Sequence, residues 1–496
     1  MSRQKLVGFF FEKNYMLPPS FLSKIPDSFN YEIFLENNQS FEKANTVTVL
    51  TDDIFEKLFE LNEPKEETLF VPDNNYIKTT VEIIDSYVDI PKKREIQDFV
   101  SYYKARYHAL KKILLQRIEL QGAMSINKAK AKQEGELAVI IGFVSSKHIT
   151  KNGHCMLEIE DPTGIIKVLV PARMEELMAL TEQIILDEVI GVIGNTGSDI
   201  IFSKEIIFPD VPVKEYKKAQ DDVCVAFISD IHIGSNLFAK QEFERFIDWL
   251  NLRFGTNEQK ILAKKIKYLI IGGDLIDGVG IYPGQDAELD IKDIYEQYEQ
   301  LAYYLNSLRN DIKIVCCGGN HDALRLAEPQ PPLSQDFARA LYKNKNILHV
   351  SNPSTVRIHN MFDILIYHGY CFDYYMNNVE YIRNAGGYDS SDKMMEFVLQ
   401  KRHLAPTHLS SLYIPDVHKD PKVIERVPDF FVTGHIHYDV KVKSYKNVTL
   451  IGCSSFQYMT NFQEKLGHTN ITWAKVPIIN LKTRQTTVMD FRNEED

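Results

Sequence analysis

Five short motifs rich in aspartate, histidine and asparagine lie between residues 230 and 437 of the chain. Each motif follows a continuous apolar run, and such runs are typical of strands buried on both faces of a sheet. The motif residues are Asp230, His232, Asp274, Asp277, Asn320, His321, Asp322, His368, His435 and His437. Because side chains that follow the carboxyl ends of strands can be aimed at a common point, the pattern predicts that they form one site.

The mixture of carboxylate, imidazole and carboxamide groups indicates a site for divalent cations. Side chains at positions i and i+2 of an extended segment point the same way, so Asp230 with His232, and His435 with His437, can reach one ion. This mixture suits Mn²⁺, Fe²⁺ or Zn²⁺ better than Ca²⁺ or Mg²⁺. There are enough groups for two ions, which the Asp274 carboxylate could bridge, and such a pair promotes attack of water on phosphorus.

Any one of these motifs alone is weak evidence, because a histidine after a strand is usually a hydrogen-bonded surface or core residue. Five in succession make a shared site the better interpretation. We interpret the remaining histidines as hydrogen-bonded surface or core residues that bind no metal. They are His108, His148, His154, His349, His359, His403, His408, His418 and His468.

The surrounding elements predict several domains, as a chain of 496 residues requires. Residues 1–90 predict a small N-terminal α+β module, and residues 91–133 a basic helix followed by a linker. Residues 134–212 contain five β-rich runs with a helical stretch between the third and fourth, the order of an OB-fold β-barrel. An SH3-like or other small barrel is the alternative. Residues 222–490 alternate apolar runs with amphipathic helices, which predicts a layered α/β domain.

Charge is distributed unevenly along the chain. The net charge is −11, yet residues 101–132 hold eight lysines or arginines against one glutamate, Glu119. This basic segment could contact phosphates. The alternatives are a solvated helix face or a contact with the acidic N-terminal module. An acidic total therefore does not exclude a polyanionic ligand.

The composition also indicates the cellular compartment in which the protein works. With 44% hydrophobic and 25% charged residues the chain is typical of globular proteins, and it contains no run of about 18 uninterrupted apolar residues. The six cysteines are scattered and form no CxxC pair, which favours a reducing environment. We therefore expect a cytoplasmic protein with no membrane partner.

The order of the five motifs, DxH, GDxxD, GNHD, HG and GHxH, resembles that of calcineurin-like metallophosphoesterases. The resemblance implies an α/β phosphoesterase sandwich and a first metal site formed by Asp230, His232, Asp274 and His437. It implies a second metal site formed by Asp274, Asn320, His368 and His435. It also implies that His321 is the general acid and that Asp322 orients it.

Three longer segments are similar to the small-subunit family of archaeal family D DNA polymerases. They are FISDIHIGSNLF, GGDLIDGVGIYPGQ and GNHDALRLAEPQPPL, and the resemblance extends over about residues 95–490. It implies a two-metal 3′→5′ exonuclease that proofreads a single-stranded DNA 3′ end and releases nucleoside monophosphates. It also implies a scaffold role for a separate large polymerase subunit. The expected cofactors are two divalent ions, Mn²⁺ first, with Fe²⁺, Zn²⁺ or Mg²⁺ as alternatives.

Two other functions fit part of the pattern. A stand-alone metallophosphatase would share the metal motifs, but protein phosphatases carry Arg-Gly after GDxxD, whereas Asp277 is followed here by Gly278, Val279 and Gly280. A non-catalytic polymerase scaffold would not need the complete ligand set. Both are weaker interpretations than an active exonuclease.

A short pattern at the start of the chain fits a sliding-clamp-binding motif. It consists of Gln4, Val7, Phe10 and Phe11. Such a pattern occurs by chance, and Gly8 disfavours the helical turn that the motif adopts. A buried N-terminal segment is the alternative interpretation.

Overall fold

The computed structural model describes residues 2–17, 48–49, 79–465 and 471–492. It has two compact units, Met1–Ile77 and Lys78–Asp496. The first unit contains helix α1 (Ser2–Glu12) and the strands β1 (Tyr15–Met16) and β2 (Thr48–Val49), which pair in parallel. Most of the predicted N-terminal module lies outside the described residues.

Helix α1 carries the N-terminal clamp-like pattern. The helix runs through Gly8, so the expected interruption there does not occur. Phe10 is fully buried, whereas Phe11 is 73% exposed. The side chain of Gln4 lies outside the described part of the structure, and clamp binding stays a prediction.

The second unit begins with strand β3 (Val81–Ser86) and helices α2 (Ile96–Leu114) and α3 (Ile126–Lys130). In α2 the buried residues recur at helical spacing, among them Tyr102, Tyr107, Leu110 and Leu114. The Asp98 carboxylate accepts a hydrogen bond of 2.9 Å from the Glu95 N–H and so satisfies a donor at the first turn. This helix is the first half of the basic segment.

Five strands form a closed barrel. They are β4 (Leu137–Ile149), β5 (Cys155–Asp161), β6 (Gly164–Val170), β7 (Val189–Gly197) and β8 (Ile200–Ile207). Their order around the barrel is β4-β5-β6-β8-β7, and β7 pairs back to β4. The β6–β8 pair is parallel and the other pairs are antiparallel. Helix α4 (Glu175–Thr181) lies between β6 and β7 in the chain.

The rest of the unit is a layered α/β domain. Its strands are β9 (Cys224–Ile228), β10 (Ile266–Ile271), β11 (Lys313–Cys316), β12 (Ile347–His349), β13 (Ser354–Ile358), β14 (Phe362–Ile366), β15 (Phe430–Thr433), β16 (Lys441–Tyr445), β17 (Val448–Gly452), β18 (Lys475–Asn480) and β19 (Thr486–Asp490). Its helices are α5 (Lys240–Leu250), α6 (Asn257–Lys265), α7 (Ile294–Asn306), α8 (Phe372–Asn378), α9 (Glu380–Asn384), α10 (Ser391–Lys401) and α11 (Asn461–Lys465).

Together with β3, these strands form two six-stranded sheets, ordered β12-β11-β10-β9-β18-β19 and β16-β17-β15-β14-β13-β3. Strand β9 shows how the layers pack. Cys224, Ala226 and Ile228 join the core beneath α5 and α7, while the alternate Phe227 meets Phe430 of the second sheet at 6.0 Å between ring centres. This period of two places β9 between two apolar layers, as the continuous apolar runs predict.

Strand β3, which the sequence places in the N-terminal module, belongs to the edge of the second sheet. It pairs antiparallel with β13, from Val81 opposite Ile358 to Ser86 opposite Ser354. Tyr87 then donates its backbone N–H to Ser351 Oγ at 2.7 Å. The local composition gives no signal for this pairing, because its partner is about 270 residues away in the chain.

Helix α2 joins the barrel to the α/β domain. The Tyr107 hydroxyl donates to the backbone carbonyl of Ile141 in β4 at 3.1 Å. One residue earlier, Arg106 Nε donates to the Asp420 carboxylate of the α/β domain at 2.6 Å. Helix α2 is therefore bonded both to the barrel and to the α/β domain.

The described residues also give two findings on helix length and on cysteines. None of its helices has both the length and the apolarity that a membrane span requires. All six cysteines are buried and free of disulfide bonds.

Candidate metal centre

The predicted site residues meet at the carboxyl ends of strands from both sheets. The loops after β9, β10 and β11 carry Asp230, His232, Asp274, Asn320 and His321, and those after β14 and β15 carry His368, His435 and His437. All of these side chains except Asn320, His321 and His435 are buried. The site thus lies where the two sheets converge, which explains why five separate segments are needed to build it.

Among the described residues, the potential ligands form three overlapping groups in which the ligand atoms lie within 4.8 Å of one another. Two of them, which we call the clusters, are Asp230 with His232 and His437, and Asp274 with His368 and His435. The third, His232 with Asp274 and His321, overlaps both. Oδ2 of Asp274 is 3.2 Å from His368 Nε2 and 3.8 Å from His232 Nε2. Asp274 therefore stands between the clusters, in the position of a bridging carboxylate.

Asn320 belongs to the second cluster. Its Oδ1 lies 3.0 Å from His368 Nε2, and the neighbouring His321 N–H donates to Asp274 Oδ1 at 2.8 Å. The loop after β11 is thus fixed to the shared aspartate through its backbone. The structure accordingly brings all seven predicted metal ligands together.

Each histidine of the clusters uses one ring nitrogen for a partner outside them. Nδ1 of His232 lies 3.0 Å from Asp277 Oδ1, and Asp277 is held by the side-chain amides of Gln285 and Gln457. The other contacts are His368 Nδ1 to Gly272 O at 3.0 Å, His435 Nε2 to Asp373 Oδ2 at 2.9 Å, and His437 Nδ1 to Gln463 Nε2 at 3.0 Å. The oxygens of Asp277, Gly272 and Asp373 can accept a proton from the ring, as the outer partners of metal-binding histidines typically do, which fixes the ring and directs its second nitrogen to the ion.

The backbone at the site adopts an unfavourable conformation. The φ angles of Asp230, His232, Asp274, His435 and His437 are 54°, 55°, 48°, 73° and 54°, all in the left-handed region. For a residue with a side chain this region costs about 1–2 kcal/mol. Its repeated use at five ligand positions indicates that ligand placement, not local stability, determines these loops.

Two glycines make room for ligand side chains. A Cβ atom on Gly434 would lie 2.3 Å from Asp230 Oδ2, and one on Gly319 would lie 2.3 Å from Asp274 Oδ1. Any larger residue would displace these carboxylates. The motif glycines therefore serve the packing of the ligands themselves.

The electrostatics of the site favour positive charge. Burial raises the pKa of Asp230, but the hydrogen bond and charge of His437 outweigh it and lower this pKa to about 2. Burial lowers the pKa of His368, but the charge of Asp274 outweighs it and raises this pKa to about 10. A largely buried set of two carboxylates, four imidazoles and one carboxamide, in this electrostatic field, fits divalent metal ions.

His321 and Asp322 have different partners from those expected. Nδ1 of His321 faces the carbonyl oxygen of Asp277 at 2.9 Å. The Asp322 carboxylate instead accepts hydrogen bonds from the Gly319 N–H at 2.9 Å and the Tyr298 hydroxyl at 3.1 Å. This corrects the expectation that Asp322 orients the His321 ring. Burial and the charge of Asp274 raise the pKa of Asp322 to about 7, and its contacts hold the loop backbone.

The clusters open into a cavity of about 380 Å³. His232, Asp274, Asn320, His321 and His437 line its floor, and Tyr282, Tyr370 and Tyr388 are among its other lining residues. Among the described residues, no lysine or arginine lines it. Because none of the described lining residues carries a fixed positive charge, bound cations would have to neutralise a phosphate group in this cavity.

Sequence reasoning did not assign roles to Asp277, Asp373 and Gln463. Asp277 was counted among the motif residues as the second aspartate of GDxxD, but it was given no role. Asp373 and Gln463 lie in short helices, α8 and α11, outside every motif. Nothing in the local sequence marks them.

Comparison with known proteins agrees with this architecture. Residues 225–439 match the model of the family described as calcineurin-like phosphoesterase. The chain is 40% identical over 437 residues to the DNA polymerase II small subunit of Methanothermobacter thermautotrophicus, which covers 87% of this chain and 88% of that protein. The proteins of the same name from Methanocaldococcus jannaschii and Halobacterium salinarum are 37% and 38% identical, over 82% and 80% of this chain and 69% and 75% of theirs.

The family resemblance inferred from the motifs is thereby confirmed. The metal-type clusters lie within the matched phosphoesterase segment, and the relatives extend well beyond it. The chain belongs to the family of small subunits of archaeal family D DNA polymerase, also called DNA polymerase II, and contains a calcineurin-like phosphoesterase domain.

Proposed function

We propose that this subunit is a metal-dependent 3′→5′ exonuclease that removes mismatched 3′-terminal nucleotides and also supports a separate large polymerase subunit. The observation that carries the proposal is the pair of ligand clusters sharing Asp274 in one cavity. The names of the relatives support the partner, since a small subunit of a DNA polymerase implies a larger one.

Seven side chains would hold the ions. Asp230, His232 and His437 would bind one cation, and Asn320, His368 and His435 the other, with Asp274 shared. Two divalent cations, Mn²⁺ in the first instance, would polarise the phosphoryl oxygen and activate water for attack on phosphorus. The outer partners of the histidines would keep the rings in place during turnover.

His321 would supply the proton for the leaving group. The contact of its Nδ1 with the Asp277 carbonyl leaves Nε2 as the nitrogen able to serve the cavity. As the bond between phosphorus and the 3′ oxygen of the preceding nucleotide breaks, this nitrogen would protonate that oxygen. The products are a nucleoside 5′-monophosphate and a DNA strand one nucleotide shorter.

We further propose that the barrel over residues 134–212 is an OB-fold. The order β4-β5-β6-β8-β7, the parallel β6–β8 contact and the position of α4 support this assignment. OB-folds bind single strands or docking proteins. The basic segment could guide the strand, and Lys104 and Lys112 are exposed on the α2 surface.

A stand-alone metallophosphatase is the main competing function. Comparing a 3′-mismatched primer with p-nitrophenyl phosphate as substrates of the native two-subunit complex separates the two. We expect Mn²⁺-dependent, 3′-end-directed release of nucleoside monophosphates that a chelator stops. Hydrolysis of the small ester without degradation of the primer would exclude the exonuclease, and bound metal without any hydrolysis would leave only a scaffold.

A further inference from the structure

A second cavity, of about 460 Å³, lies beside the metal centre, and we propose that it stacks an unpaired base of the DNA strand being hydrolysed. This inference rests on the proposed exonuclease function and identifies how that function would hold its substrate. The cavity, which we call the aromatic groove, is lined by Phe99, Tyr370, Tyr374, Leu412 and Tyr413, with Asp373. Its volume is in the range of sites that hold small ligands.

The aromatic groove adjoins the metal-centre cavity. Tyr370 and Asp373 line both. The Asp373 carboxylate contacts His435 at 2.9 Å, and the Tyr370 ring lies 5.6 Å from the ring of the same histidine. A strand with its terminal phosphodiester in the metal centre would therefore have its neighbouring nucleotides at the mouth of the groove.

The rings of the aromatic groove are held in place before any ligand arrives. Phe99 packs against Tyr413 at 6.0 Å with an angle of 73° between the rings. Tyr413 stacks on Tyr102 at 5.2 Å, and its hydroxyl lies 2.9 Å from His408 Nδ1. Tyr102 and Phe99 belong to α2, which the buried Arg106–Asp420 ion pair fixes to the domain. Such preorganisation reduces the entropy lost on binding.

The charge of the groove points to a base and away from phosphate. Among the described residues no lysine or arginine lines it, and Asp373 contributes negative charge. Phe99 and Leu412 leave 38% and 61% of their surfaces exposed, so a flat neutral group would cover apolar area. Stacking on aromatic rings is tolerant of sequence and is worth about 1–3 kcal/mol per base. A proofreading site needs that tolerance, because any of the four bases can be misincorporated.

The test uses the native two-subunit complex and single-stranded oligonucleotides that carry one abasic residue at each of the first four positions from the 3′ end. For the native complex we expect kcat/KM to fall by about 5- to 100-fold at one position, corresponding to the loss of one stacked base. Phe99→Ala should lower kcat/KM on the intact strand by a similar factor and abolish the sensitivity at that position. Phe99→Tyr should restore both the kcat/KM on the intact strand and the sensitivity to the abasic residue.

Phe254→Ala is the matched control, because Phe254 is 42% exposed and lies outside the groove. Equal abasic sensitivity of the native complex and Phe99→Ala would overturn the proposal. So would loss of the large subunit from Phe99→Ala on size-exclusion chromatography, which would assign the groove to a peptide segment of that partner. If the native complex hydrolyses bis(p-nitrophenyl) phosphate but no oligonucleotide, the exonuclease function itself fails, and that outcome is distinct from both.

Discussion

Two buried polar clusters of the α/β domain balance their charges in different ways. In the cluster around Asp420, the fully buried carboxylate accepts hydrogen bonds from Arg106 Nε at 2.6 Å and from the Tyr102 hydroxyl at 2.8 Å. His403 Nε2 lies 2.8 Å from the same carboxylate. Burial raises the pKa of Asp420, but the charge of Arg106 and the contact with His403 outweigh it and hold this pKa well below its ordinary value. This cluster contains its own counter-charge.

The metal centre has no such internal balance. His232 Nε2 and His437 Nε2 face each other at 3.1 Å, although both are also placed to bind an ion. Its carboxylates, Asp230 and Asp274, have only imidazoles as positive partners among the described residues of the site. A buried charge is stable only when it is paired or coordinates a metal. The Asp420 cluster is therefore complete as protein, whereas the metal centre would be completed by cations.

The largest expected effect comes from removing the shared carboxylate. Asp274→Ala should lose both metals and all hydrolysis, because both clusters use this side chain, yet the two subunits should remain assembled. Metal content by mass spectrometry, primer degradation and size-exclusion chromatography measure these outcomes. Asp420→Ala serves as the comparison and should retain bound metal. Full activity of Asp274→Ala would contradict the assignment.

His321→Gln separates proton transfer from metal binding. The variant should keep its metal content and lose a factor of about 10²–10⁴ in kcat, the usual contribution of a general acid. A substrate with a p-nitrophenolate leaving group needs little protonation, so its hydrolysis should fall much less. Equal losses on both substrates would remove the acid role from His321.

Asp420→Ala tests the self-contained cluster. Arg106 cannot give up its proton, so the variant leaves a buried charge without a partner, at a cost of about 3–5 kcal/mol in the free energy of unfolding. Denaturant unfolding in a metal-free buffer measures this loss. Asp274→Ala should be less destabilising there, because the imidazoles around it can lose protons. The control Asp248→Ala removes a half-exposed partner of Arg253 and should cost less than about 1 kcal/mol.

The Asp420 cluster also predicts a pH dependence of stability. Burial and the charge of Arg106 lower the pKa of His403 to about 3, against the opposing effect of Asp420. As the pH falls, the unfolded chain binds a proton at His403 at a higher pH than the folded chain does. The contribution of neutral His403 to the free energy of unfolding is therefore present above pH 6.5 and is lost as the pH falls towards 3. By pH 5 the loss is about 2 kcal/mol.

His403→Gln should remove that part of the pH dependence when unfolding free energies at pH 7 and pH 5 are compared. His418→Gln, at an exposed position, should retain it. Identical pH dependence in the native chain and His403→Gln would show that the buried imidazole does not control it.

The sequence predicted that the side chains of the metal centre meet, because each of them follows a buried strand. The β-rich runs likewise predicted the five strands of the barrel. The left-handed backbone of Asp230 and Asp274 was not predictable, because aspartate adopts it only where tertiary contacts impose it. The Asp420 cluster was missed for a related reason: Arg106 and Asp420 are separated by 314 positions and neither belongs to a motif. Strand β3 was wrongly assigned to the N-terminal module because its pairing partner, β13, is about 270 residues away in the chain.

Anomalous scattering from crystals grown with Mn²⁺ tests the central claim most directly. The account predicts two peaks about 3.5–4 Å apart, one on each side of the Asp274 carboxylate and each within bonding distance of its histidines. Both peaks should vanish in Asp274→Ala, while the Asp420 cluster binds none. A single peak away from Asp274, or no peak at saturating Mn²⁺, would contradict the account.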